Sequence, residues 1–84
     1  MAGHECAGNE VVGQEDAARR LFEFGMMHAT GHTIDLVAAH KWFNLAAMRG
    51  NKEAIRWRSE IAAEMSQAEI AAAQRAARDW LTRH

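Results

Sequence analysis

Small and apolar residues recur at helical spacing along most of the chain, and no proline interrupts them. Ala17, Leu21, Phe24, Gly25 and His28 fall at i, i+4, i+7, i+8 and i+11, which turns them to one helix face. Nothing alternates with period two over a useful length, so a β-sheet is not expected. The class predicted is all-α with a single core, because 84 residues hold no more than one.

Start and stop signals divide this pattern into four helices. The first is expected from about Glu15 to about Ala29 and ends at Gly31. The link Gly31-His32-Thr33-Ile34 leads to Asp35, whose carboxylate can accept the free N–H groups of a new helix start. The second helix runs to about Arg49, with Leu36, Ala39, Phe43, Ala46 and Ala47 on its apolar face and Trp42 beside it; Gly50 suits a left-handed closing residue. Asn51 can cap a third helix reaching Glu64 or Met65, with Ala54, Trp57 and Ile61 on one side. Ser66-Gln67-Ala68-Glu69 has the form of a capping box and opens a fourth helix carrying Ile70, Ala73, Ala77 and Trp80. Links this short make consecutive helices antiparallel, which predicts two stacked helical hairpins. Residues 1–13 contain three of the six glycines and show no helical period, so a flexible arm is expected ahead of a single all-α domain over 14–84.

One segment is more specific than amphipathicity. Phe22-Glu23-Phe24-Gly25-Met26-Met27-His28-Ala29-Thr30-Gly31, then Asp35, Ala39, Lys41-Trp42-Phe43, Ala46-Ala47, Gly50 and Ala54 resemble the Sel1-like repeat family, a relative of the tetratricopeptide helical repeats. The match covers about residues 17–54. Each offset has a packing reason: Gly25, Ala39, Ala46 and Ala47 let two helices approach, and Trp42 and Phe43 fill the groove between them. The chain departs from the family pattern at Phe24, where Leu is usual, at His28, where Tyr is usual, and at Arg20, where Ala is common. Its loop from Gly31 to Asp35 is also short. Arg58-Ser59 stand where a second repeat would have Leu-Gly, so the helical pair over about 51–83 reads as a divergent cap. The resemblance implies a small interaction module, an adaptor or regulatory scaffold for another protein. Repeats of this kind do not bury their faces alone, so a cap, a partner or a second copy is required, and open repeat ends suit a homo-oligomer.

Charge narrows the partner. Ten Lys and Arg against eleven Asp and Glu give a formal charge of −1, without the basic excess that drives non-specific nucleic-acid binding. No stretch is long and apolar enough for a membrane span, and the N-terminus lacks a basic-then-apolar signal pattern. The single Cys6 cannot form an internal disulfide, which fits a reducing compartment, and the cytoplasm is the expected location.

Chemistry-bearing residues are sparse. After removal of Met1, the start Ala2-Gly3-His4 can wrap Cu(II) or Ni(II) in square-planar geometry, an alternative function that any flexible terminus with a third-position histidine shares. His28 and His32 have ligand-pair spacing, but Gly31 is expected to break the helix between them and His28 holds a packing position. His40 is expected on solvated surface. Ser59, Ser66 and Cys6 lack an activated setting, and there is neither a phosphate-cradling loop nor a paired-acid cleft, so no catalytic residue, cofactor or metal site is assigned and an enzyme is not expected. Arg49, Lys52, Arg56 and Arg58 with Trp57 form an Arg/Trp cluster around helix 3 that would serve a small nucleic-acid-binding regulator; the competing reading is a solvated face of i,i+4 pairs. For the adaptor, counting around helix 1 turns Arg19, Glu23 and Met26 outward. Aligning Ala54 with residue 20 adds Trp57 and Glu60, and these five residues form the expected protein-binding ridge.

Overall fold

The computed structural model describes the backbone of residues 2–83 and the side chains of residues 16–83. It contains four helices, α1 (Ala2–Thr30), α2 (Leu36–Met48), α3 (Lys52–Ala62) and α4 (Gln67–Arg83), and no strand among the described residues. No helix among them is long and apolar enough to cross a membrane.

Each boundary is written in local hydrogen bonds. Asp35 caps α2, its Oδ1 accepting from the Ala38 N–H at 3.1 Å. At the other end of α2, the Gly50 N–H donates to the Ala47 carbonyl at 3.0 Å and the Asn51 N–H to the Ala46 carbonyl at 3.0 Å. This paired closure needs a left-handed residue, and Gly50 supplies it at φ 100°. Asn51 then serves both helices, because its Oδ1 accepts from the Ala54 N–H at 2.9 Å and so caps α3. The capping box forms as expected: the Glu69 N–H donates to Ser66 Oγ at 3.1 Å, and the Ser66 N–H donates to Glu69 Oε1 at 2.8 Å.

Two boundaries differ from expectation. α3 stops at Ala62 rather than at Glu64 or Met65, because the chain tightens: Glu64 donates to the Ile61 carbonyl at 3.0 Å and Met65 to that of Ala62 at 3.1 Å. Helical backbone also runs through residues 2–13, where an arm is expected, with no break at Gln14. Glycines at 3, 8 and 13 weaken a helix by about 1 kcal/mol each relative to alanine, yet unlike proline they remove no donor.

The core is organised around α2. It packs against α1, α3 and α4, whereas no pair of helices that leaves out α2 is in more than slight contact. The first pair, α1–α2, is the expected hairpin. The second pair is not packed as a hairpin of its own: α4, with Ala73 and Ala77 buried, lies on α2. Phe43, fully buried on α2, is the centre of the interior. Its ring stands 5.5 Å from that of Phe22 on α1 and 6.0 Å from that of Trp57 on α3, the latter pair stacked at 21°. Gly25 makes this possible, since a Cβ there would sit 2.6 Å from Cδ1 and Cε1 of Phe43. Ala39, Ala46 and Ala54, all fully buried, bring the remaining backbones close in the same way.

Candidate functional site

A second set of rings lies on the outside. Leu21 and Gly25 turn into the α1–α2 seam, and Phe24, about a third of a turn from Gly25, is left at its edge with 42% of its surface exposed. The ring of Phe24 stands 5.1 Å from that of Trp42 on α2, tilted at 54°. Trp42 in turn meets Trp80 of α4 edge to face, 5.9 Å away at 77°. Both indoles are half-buried, so the three rings form a strip across three helices, held in the tilted and edge-on arrangements that ring quadrupoles favour. Cations lie against it, with Lys41 Nζ 4.2 Å from the centre of the Trp42 ring and the Arg49 guanidinium 5.9 Å from that of Trp80. Between Phe24 and Trp80 opens a pocket of about 170 Å³, walled by Ala17, Leu21, Arg20 and Arg49.

Arg49 is also a wall of a larger cleft, about 400 Å³, formed with Ala18 and Arg19 of α1 and with the closing turn Gly50-Asn51 and the first residues of α3, Lys52 and Glu53. The described ion pairs are Arg20 with Asp16 at 2.7 Å, Arg56 with Glu53 at 3.7 Å and Arg83 with Asp79 at 3.3 Å, all exposed. Among the described residues, none of these pairs takes up Arg19, Arg49 or Lys52. The cleft is therefore positive, and it adjoins the aromatic pocket through a single shared side chain.

The five ridge residues do not come together as one open surface. Arg19, Glu23 and Glu60 are exposed, but Met26 and Trp57 are half-buried against the core. Trp57 follows buried Ala54 by three residues on α3, so the stripe that faces α2 carries the indole inward onto Phe43. Phe24, expected inside, is at the edge because Phe22 takes the inner place beside Phe43. Of the ridge, Arg19 is a wall of the larger cleft.

His40 is a correction of another kind. Expected on solvated surface, it is 4% exposed, because three neighbouring helices cover most of the circumference of α2. Among the described residues its Nδ1 has no hydrogen-bond partner. Loss of hydration, with the nearby Arg58 guanidinium as a second cause, holds the imidazole below its ordinary pKa of 6.5. Arg58 itself donates to Asn44 Oδ1 at 2.6 Å across α3 and α2. In the Arg/Trp cluster, then, Arg58 and Trp57 hold internal contacts, Arg56 pairs with Glu53, and only Arg49 and Lys52 face the cleft.

The histidine pair separates as expected. His28 lies in the last turn of α1 with its Nδ1 2.9 Å from the Phe24 carbonyl, and His32 lies beyond the helix end. Among the described residues no group of three or more His, Cys, Asp and Glu is arranged to hold a metal ion; His4 and Cys6 lie outside the described side chains. Sequence reasoning reached Trp42 as a groove filler and Trp80 as a helix-face residue, but not their meeting. The signal for it was the placement of α4 on α2, which no local pattern carries. Comparison with family models, curated proteins and solved structures gave no match.

Proposed function

We propose that this chain is a non-catalytic protein-interaction module of the Sel1-like repeat type, a small cytoplasmic adaptor that engages another protein through the Phe24–Trp42–Trp80 face. The observation that carries this reading is the strip itself. Two half-buried indoles and a phenyl ring are pre-ordered by contact with each other and rimmed by Lys41 and Arg49, and aromatic and arginine side chains are the ones that dominate binding energy at protein interfaces. Rings already fixed lose little rotamer freedom on binding. The repeat assignment draws support from the α1–α2 hairpin, where Gly25 against Phe43 is the close helix approach the resemblance implies. The nucleic-acid alternative is weakened because Trp57 and Arg58 are engaged inside the molecule.

The test is capture from native lysate with the whole protein as bait, beside a Phe24→Ala bait of unchanged helicity. A stoichiometric partner lost with Phe24→Ala supports the module; equal recovery by both baits would remove this face from the reading.

A further inference from the structure

Resting on the interaction-module reading, we infer that the partner segment docked on this face is acidic and carries a large apolar side chain next to its carboxylates. The apolar group enters the pocket between Phe24 and Trp80, and the carboxylates meet Arg19, Arg49 and Lys52 in the adjoining cleft.

Size and charge both select this occupant. The pocket of about 170 Å³ is walled by Leu21, Phe24 and Trp80, and an apolar cavity of about 150 Å³ is enough to hold a benzene ring. It takes one large side chain and no more. The cleft beside it, at about 400 Å³, is too large for a single carboxylate and suits a short run of chain. Its charge is one-sided. Three cations face one carboxylate, Glu53, which lies 3.7 Å from Arg56. Arg20, on the wall of the apolar pocket, is held by Asp16 at 2.7 Å and adds little net field there. The uncompensated charge is thus on the cleft side of Arg49, so the face has a direction: apolar at one end, positive at the other.

This concentration is local, because the chain as a whole carries −1. Like charges held around open water repel one another, and an anionic occupant relieves that repulsion while being steered in by it. A nucleic acid would supply the charge but would need open ring faces for its bases. Here Trp42 and Trp80 are turned edge to face onto each other, and Lys41 lies over the Trp42 ring.

The experiment is selection of short random peptides displayed on phage against the whole protein, with no bias in charge. The expected result is enrichment of peptides with Asp or Glu next to Trp, Phe or Leu. Their binding to the unaltered protein should weaken with added salt, and it should weaken about tenfold when Arg19→Glu and Lys52→Glu are combined. Both substituted positions are exposed, and the variant is checked for unchanged helicity. Enrichment of neutral or basic peptides, or equal binding by the charge-reversed protein, overturns the inference. So does an oligothymidylate that binds more tightly than every selected peptide. An empty selection also overturns it; if lysate capture is still lost with Phe24→Ala, the module reading stands without the acidic partner. If capture is insensitive to Phe24→Ala, the two fail together.

Discussion

Phe22, Phe43 and Trp57 form one group of three rings, and Phe24, Trp42 and Trp80 form another. Each group takes one ring from α1 and one from α2; the third comes from α3 in the first group and from α4 in the second. The spacings are alike, 5.5 and 6.0 Å in one and 5.1 and 5.9 Å in the other. Their surroundings are not. Phe43 is fully buried, while Phe24 keeps 42% of its surface in water. On α2 the two groups start from adjacent residues, about 100° apart around the helix. Ring contact alone therefore decides neither stability nor function here. A ring covered on every side holds the fold, and a ring ordered on one side only is left to receive something else.

The largest effect is expected from removing the centre of the interior group. Phe43→Ala is expected to cost about 3–5 kcal/mol, because it leaves a cavity between α1 and α3 that fixed backbones cannot close. A domain of this size holds little more than that in total. Urea unfolding followed by circular dichroism should find little folded protein; a variant with a near-native midpoint would mean that Phe43 is not the centre of the interior.

Gly25→Ala probes the same group from the opposite side and should be milder. Alanine favours the helix by about 1 kcal/mol over glycine, but its methyl would fall 2.6 Å from two ring atoms of Phe43. Parting α1 from α2 to admit it costs about 1–3 kcal/mol, so a net loss is expected. A raised melting temperature would show that the helices separate freely and that the interior group is looser than its spacings suggest.

The two groups also differ in how far the sequence discloses them. Asp35, Gly50, Asn51 and the Ser66–Glu69 box were readable because a cap acts over three or four residues, and the same holds for the α1–α2 hairpin, whose link is short. The strip was not readable. Trp80 meets Trp42 only because α4 crosses back onto α2 instead of pairing with α3, and that choice depends on which buried alanines fit which groove. The ridge of Arg19, Glu23, Met26, Trp57 and Glu60 came from treating α3 as a copy of α1. The copy fails at Trp57, where α3 packs chiefly on α2 and its stripe carries the indole inward. His40 was missed for the related reason that a helix with three neighbours has little outer face left.

His40 allows the interior to be weakened without changing its volume. Its folded pKa lies below 6.5, so between 6.5 and that lower value the unfolded chain binds a proton that the folded chain refuses. Stability is fully present above 6.5, falls as the pH drops below it, and levels off once the folded imidazole is itself protonated. The urea midpoint should therefore decline as the pH falls below 6.5, and His40→Leu should remove that part of the decline while sparing the Phe24 face. A decline of the same size in His40→Leu would place its origin elsewhere.

The smallest effect on stability should come from the strip, and it is best measured as a pair. Phe22→Ala and Phe24→Ala remove the same ring from the same helix two positions apart. Phe22 is half-buried against the core beside Phe43, so its loss is expected to cost about 2 kcal/mol, reduced from the full-burial range by its partial exposure. Phe24 already keeps much of its surface in water, and its loss should cost about 1 kcal/mol or less. Partner capture should rank the two the other way, surviving Phe22→Ala in whatever fraction remains folded and disappearing with Phe24→Ala. If stability and capture fall together in both variants, the separation between a ring that holds the fold and a ring that meets a partner does not exist at this seam. If only Phe24→Ala loses capture, the two groups are functionally distinct even though their rings share two helices.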